Sequence, residues 1–305
     1  MISEDRRLEP QLRRKPFLVT MEVNPPKGTE LSELLAAVER TKPWLDAVNV
    51  TDGSGAMMRA CPLAVAKAVL DAGVDPILQM TCRDRNRLAL QADLLGASIL
   101  GIRNVLLLTG DDPKQGDHPD TKAVFDINSA ALMQAAKGLM EGHDLAGKPL
   151  KGAPRFCIGA AADPGAKDLA VEMQKFQAKI AAGAQFFQTQ AVFDVEAFRR
   201  FMAQAKASGR PVLAGILLLK SAKMARYMNE HVWGIHVPDE LIARLERAGD
   251  LRAECVAIAA ELIDAVRDVA NGVHLYALGW EELVPDVLTA AGLASASAAA
   301  RSPRT

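Results

Sequence analysis

The sequence predicts an α/β fold, a (β/α)8 barrel with an extra helical insertion before the last strand. Three observations carry this. Eight short apolar runs alternate with helical stretches along most of the chain, the order of a parallel sheet with helical crossovers. The clearest run, NVLLL at 104–108, has no polar alternation, as expected of a strand buried on both faces. No G-x-G-x-x-G follows the first strand and no G-x-x-x-x-G-K-[ST] occurs anywhere, so the phosphate loops of doubly wound sheets are missing. On alternation alone, a three-layer α/β sheet remains the competing arrangement.

The elements follow in order. Residues 1–15 are a charged lead-in, partly helical, and 16–293 form the barrel. The first strand covers 17–23 and is stopped by Asn24-Pro25-Pro26, because proline cannot donate to a ladder. A helix at 31–40 leads to a strand at 45–51, and a helix at 62–72 ends at Gly73 before a strand at 76–81. A long helix at 84–101 is opened by Asp84 as its cap. After the strand at 104–108 comes a polar loop, 111–122, then a helix at 127–141. Loops of this length are often functional; this one reads as a lid or as a mobile surface loop. Strands at 155–161, 185–190 and 211–217 alternate with helices at 167–182, 195–208 and 222–230. Helices at 237–248 and 251–270 form the insertion before a strand at 273–278 and a closing helix at 283–291. The low-complexity stretch 294–305 reads as a disordered tail.

Bulk composition narrows the function. The 305 residues are 50% hydrophobic, enough for a large core. Lys plus Arg is 36 and Asp plus Glu is 37, a net charge of −1, which gives no support for a nucleic-acid or acidic-membrane partner. Aromatics at 5% make a poor platform for single-stranded nucleic acid. No apolar run is long enough to span a bilayer, and the charged N-terminus lacks a signal-peptide core. The four cysteines are far apart with no CxxC, which reads as a reduced cytoplasmic protein without structural zinc.

Ligands of α/β barrels bind at the C-terminal ends of the strands. Those ends carry Glu22, Thr51-Asp52, Gln79 and Thr81, Thr109 and Asp111, Ala161-Ala162, Gln188 and Gln190, Lys220 and Tyr276. This is a cup of amides and hydroxyls with two or three carboxylates. Glu22 is the sharpest of them, a carboxylate in an otherwise apolar strand. It reads as a general acid held away from water, or as an outward-facing glutamate at a strand edge. Asp111 reads as a hydrogen-bond acceptor for a ring N–H, or as a turn aspartate. Gln190 suits two-point pairing with a heterocyclic amide, or a rim hydrogen bond. Lys220 is a Schiff-base candidate or a solvated lysine. His274 lies inside the last strand, where a satisfied core histidine is expected, and no cluster has metal-ligand spacing.

These strand ends resemble the methylenetetrahydrofolate reductase family, from about residue 17 to 293. The resemblance rests on TMEVNPPKG, AVNVTDGSG, QMTCRDRN, NVLLLTGDDP, GDHPDTKAVFD, GAQFFQTQAVFD, AGILLLKSAKMARYM and GVHLYALGWEELVP. It looks closest to a bacterial branch that includes acetogen enzymes. It implies a flavin-dependent oxidoreductase of one-carbon metabolism, serving methionine biosynthesis in many members. Reduced flavin would pass a hydride to methylenetetrahydrofolate, giving methyltetrahydrofolate. Glu22 matches the family's catalytic glutamate, which protonates a folate ring nitrogen. Asp111 matches the aspartate near both flavin and pterin, and Gln190 a substrate-binding glutamine. Tyr227 is the nearest match to an aromatic that stacks on nicotinamide or folate. Flavin contacts carry over to Thr51, Gln79, Thr109, Gly110, Asp111 and Ala162, and Glu172, Lys175 and Lys179 match positions along the ribityl and phosphate chain. A lysine suits a diphosphate.

The chain departs from the family's pattern in places. Gln79 stands where many members have histidine. The Tyr-Pro-x-x-His-Pro segment found elsewhere is replaced by Ala161-Ala162-Asp163-Pro164-Gly165. The cofactor implied is FAD, with FMN or a flavin-free protein as variants, and NAD(P)H as electron donor. The implied partners are a folate substrate and either a second copy of the chain or an electron-transfer subunit. Two other readings stay open: a pterin-binding methyltransferase barrel without flavin, and a non-catalytic folate- or partner-binding subunit.

Overall fold

A computed structural model describes residues 7–232 and 234–295. Eight parallel strands close into one barrel in chain order, with the first pairing the last. The strands are β1 (Leu18–Val23), β2 (Ala47–Val50), β3 (Pro76–Thr81), β4 (Asn104–Leu108), β5 (Cys157–Ala162), β6 (Phe186–Ala191), β7 (Val212–Leu217) and β8 (Gly272–Tyr276). The helices are α1 (Leu8–Arg14), α2 (Ser32–Thr41), α3 (Pro62–Asp71), α4 (Arg87–Ile99), α5 (Ser129–Met140), α6 (Leu169–Ala182), α7 (Val195–Ala205), α8 (Ala222–His231), α9 (Asp239–Arg247), α10 (Leu251–Val266) and α11 (Val284–Ala290). The expected (β/α)8 barrel is therefore the observed one. Its insertion is α9 and α10, lying between α8 and β8. Of the expected tail, 296–305 lie outside the described residues, as do residues 1–6 of the lead-in.

Alternation along each strand sorts the side chains into two cores. Val19, Met21, Val48, Val50, Leu78 and Met80 face the helices and join the outer core. Leu18, Ala47, Ile77, Leu106, Cys157, Phe186 and Leu213 face inward and fill the floor of the barrel. Leu8 of α1 is fully buried against that floor. The lead-in is thus partly a plug, held by an Arg7–Asp75 ion pair at 2.7 Å and by Leu8 N donating to Asp75 Oδ2 at 2.9 Å.

Helix starts follow local capping chemistry. Asn128 accepts from Ala131 N, Asp168 from Val171 N and Asp194 from Ala197 N. The expected cap of the fourth helix is corrected. Asn86 is the cap, accepting from Leu88 N and Ala89 N, because Asp84 is paired with Arg83, which also reaches the Gly53 carbonyl. Among the described residues, no helix is long and apolar enough to cross a membrane, and no group of His, Cys, Asp or Glu could hold a metal ion.

Candidate active site

The inward face continues above the apolar floor as a polar layer. Thr20, Asn49, Gln188 and His274 all lie inside the barrel and are at most 2% exposed. Gln188 and Asn49 exchange two amide hydrogen bonds across the barrel, at 2.7 and 3.0 Å. Gln188 Nε2 also donates to Thr20 Oγ1 at 3.1 Å. His274 Nδ1 stands 2.9 Å from Thr20 Oγ1 and 3.3 Å from Gln188 Nε2. An amide nitrogen only donates, so Nδ1 is the acceptor and the imidazole proton is assigned to Nε2. That nitrogen faces Glu22, with Nε2 3.8 Å from Oε2.

Glu22 sits one inward position above Thr20 on β1, beside Asn49 of β2 in the register. It points into the barrel, which excludes the outward-facing alternative. It is 7% exposed, and its carboxyl makes no hydrogen bond within 3.5 Å among the described residues. Tyr276 edges the His274 ring at 4.7 Å and donates its hydroxyl to Thr189 O at 2.7 Å. Burial, with the Glu22 charge nearby, pushes that phenol well above its ordinary range. A buried carboxyl with an N–H behind it and no protein partner of its own can hand a proton to a ligand at the mouth.

The other expected residues distribute around this centre. Thr51 is buried and donates to Asn24 Oδ1 at 2.8 Å. Gln79 is buried on the inward face and its amide has no partner among the described residues. Gly110 follows β4 with φ +97°, and an added Cβ would lie 2.9 Å from the Thr81 Cβ. Glycine is required there on both counts. Thr109 is exposed and donates to Ser129 Oγ at 3.2 Å. Asp111 is exposed and accepts from Gly55 N at 2.8 Å, so it ties two strand-end loops while keeping its other oxygen open. Gln190 lies where the pairing of β6 with β7 slips, between Gln188 and Ala191. Thr189 staples that bulge by donating to Gln190 O and accepting from Gly215 N. Bulges of this kind re-aim side chains beside sites. The Gln190 amide is half-buried and has no partner among the described residues.

Several expectations are corrected. Asp52 does not face the mouth as a free acid. It accepts from Thr81 N at 2.7 Å and pairs with Arg85. Ala162 packs its methyl in the outer core, so only its backbone can meet a ligand. Tyr227, matched to a ligand-stacking aromatic, lies on α8, 58% exposed and stacked on His231 at 4.4 Å, with its outer ring face open. Lys220, half-buried, lies over the Trp280 ring at 5.3 Å and donates to Leu278 O, so its amine is committed to the β8 exit loop rather than left free at the mouth. The 111–122 loop is anchored at Asp117, with further ties just beyond it at Val124 and Asp126. Asp117 accepts from Met58 N at 2.9 Å and pairs with Lys27, Val124 N donates to Arg83 O at 2.7 Å, and Arg87 grips Asp126.

The positions matched to a cofactor's phosphate chain lie on α6. Glu172 is buried, accepts from Asp163 N at 2.9 Å and stands 3.9 Å from Lys175 Nζ. Lys179 donates to Ala161 O at 2.7 Å, and burial pulls its amine below the ordinary value. Beside them lies a cavity of about 690 Å³ between the starts of α6 and α7, lined by Glu172, Lys175, Arg200 and His236. Its wall includes Asp163, 5% exposed, with Oδ2 buried and unpartnered. Burial pushes this carboxyl above its ordinary value. An orphaned acceptor next to a cationic rim fits a hydroxylated, phosphate-bearing chain.

Fold and site together define a (β/α)8 barrel whose C-terminal mouth presents the inward-facing Glu22 carboxyl and the open amides of Gln79 and Gln190. More narrowly, the chain belongs to the methylenetetrahydrofolate reductase family, whose model matches residues 7–292. Methylenetetrahydrofolate reductase 1 of Schizosaccharomyces pombe is 24% identical over 311 residues, covering 96% of this chain and 49% of the relative. The 5,10-methylenetetrahydrofolate reductase of Pectobacterium carotovorum is 30% identical over 216 residues, 67% of this chain and 65% of the relative. The chain spans less than half the length of the eukaryotic relatives it matches. An uncharacterized protein from Clostridium thermocellum, described as binding two copies of 5-methyl-5,6,7,8-tetrahydrofolic acid, superposes with a TM-score of 0.61 at 16% identity, covering 93% of this chain and 98% of its own. At that identity the likeness is one of fold.

Proposed function

We propose that this chain reduces 5,10-methylenetetrahydrofolate to 5-methyltetrahydrofolate with electrons from NAD(P)H and a bound flavin. Each turnover consumes one NAD(P)H and one proton. Family membership supports this reading, as does the folate ligand of the Clostridium thermocellum neighbour. The single observation that carries it is Glu22, an inward-facing acid at a strand end with no protein partner for its carboxyl other than the His274 N–H at 3.8 Å.

Glu22 holds the proton that goes to the folate ring nitrogen and opens the one-carbon bridge. The His274 N–H, fixed by Thr20 and Gln188, orients that carboxyl. Asp111 and the free amide of Gln190 orient the pterin. Tyr227 takes the outer part of the folate or nicotinamide. Thr51, Gln79, Thr109, Gly110, Asp111 and the Ala162 backbone would hold a flavin ring. Glu172, Lys175 and Lys179 would hold its ribityl and phosphate chain, as FAD. Hydride transfer to the one-carbon unit is the chemistry a bound flavin supplies.

The test is purification followed by an absorption spectrum, mass spectrometry of released cofactor and an NAD(P)H-driven assay. Absorption near ~450 nm with methyltetrahydrofolate as product is the expected result. A colourless protein that transfers methyl groups without NAD(P)H would assign the methyltransferase reading instead.

A further inference from the structure

The face of the barrel opposite the mouth carries a cavity that the proposed reaction does not use. It holds about 220 Å³, room for about seven waters. Its walls come from three separate stretches. Helix α1 brings Arg7, Glu9, Arg13 and Arg14, the turn into β4 brings Arg103 and Asn104, and the lead into β5 brings Arg155. The starts of β4 and β5 are neighbours, with Asn104 paired to Cys157 and Cys157 N donating to Arg103 O at 2.8 Å. Among the described residues, five guanidinium groups therefore share one small space with a single lining carboxylate, in a chain whose net charge is −1.

Internal pairing absorbs only part of this charge. Arg7 Nη1 is committed to Asp75, whose other oxygen is taken by Leu8 N and Asn104 Nδ2. Arg7 Nε is buried and has no hydrogen-bond partner. Arg13 reaches Glu9 only at 3.3 Å, and Arg155 forms no ion pair among the described residues. Arg14 and Arg103 have contacts of their own, so the unpaired charge is counted on Arg155, with the buried Arg7 Nε donor also left open. Like charges crowded this way repel unless a counter-charge is present.

We propose that this cavity binds a compact phosphate-type anion, phosphate or diphosphate. Planar guanidinium forks match tetrahedral oxyanions in two-point fashion. The volume admits one or two phosphoryl groups but not a nucleoside besides. Because the ligating arginines sit on α1 and on two strand leads, the bound anion clamps α1 onto the barrel floor. Binding to the folded state alone then raises stability. The site lies on the far side of the barrel from Glu22 and does not depend on the proposed chemistry.

The test is calorimetric titration of the full chain, in buffer free of phosphate and sulfate, with phosphate, diphosphate and ADP in separate arms. Ionic strength is matched with sodium chloride, and the thermal midpoint is followed in parallel. One diphosphate per chain is expected, with the midpoint rising as ligand is added. Affinity should fall at least tenfold in Arg13→Ala and in Arg155→Ala, both surface changes, and hold in Arg210→Ala, a solvent-exposed control. ADP binding of similar strength would assign the phosphate end of a nucleotide, with its base outside; ADP exclusion would assign the free anion. Equal stabilisation by matched sodium chloride, or unchanged affinity in both cavity variants, would overturn the proposal.

Discussion

Replacing Gln188 by leucine should cost about 3 kcal/mol of stability through the loss of hydrogen bonds alone. Gln188 exchanges both amide bonds with Asn49 and donates to Thr20. Leucine keeps most of the volume but leaves the Asn49 amide and carbonyl buried and unpaired, at roughly 1–3 kcal/mol each. Thr20 is affected less, because it keeps His274 Nδ1 at 2.9 Å. Replacing both partners with leucine removes the orphans along with the bonds. Asn49→Leu/Gln188→Leu should therefore lose about 2 kcal/mol less than the sum of the two single losses. Urea denaturation of the four proteins, with m-values compared, measures the coupling. Additive single effects, with coupling below about 0.5 kcal/mol, would show that the cross-barrel pair does not act as a unit. The reasoning that it fixes His274 beneath Glu22 would fail with it.

Other perturbations probe separate parts of the molecule. Gly159→Ala would put a methyl 2.7 and 2.8 Å from two carbons of the fully buried Phe186 ring; overpacking there should cost about 1–3 kcal/mol, read as a lowered thermal midpoint, and an unchanged midpoint would mean the floor can repack. Asp163→Asn should gain stability relative to the parent as pH rises. The folded carboxyl titrates above its ordinary value, so its destabilising charge is absent below about pH 4 and develops as pH climbs through the folded pKa. Unfolding free energies between about pH 4 and pH 8 check this, and a difference that stays flat across that range would contradict it.

The fold was legible because the barrel's apolar pattern is local. The runs at 76–81 and 104–108 match β3 and β4 to the residue, since each is bounded by residues that end a buried strand. The start of α4 was not legible, because Asp84 is diverted by Arg83, whose own anchor at Gly53 is 30 residues away in sequence. The same limit hid the roles of Asp52 and Lys220, each spent on a partner from another loop. Glu22 stood out as a lone charge in an apolar strand, and it does face inward. His274 was visible only as a core histidine. Its part in orienting Glu22 depends on Thr20, Asn49 and Gln188, which come together only when β1, β2, β6 and β8 close. The bulge at Gln190 leaves no mark in the FFQTQA pattern, so the aim of that side chain could not be read from alternation.

The central claim is that Glu22 supplies the proton for folate reduction, and Glu22→Gln tests it most directly. The variant keeps the shape of the side chain but cannot act as an acid at that position. Cofactor content and its reduction by NAD(P)H should stay close to the parent, while methyltetrahydrofolate formation should fall by about 10²–10⁴-fold. Folate turnover within a few-fold of the parent would contradict the account.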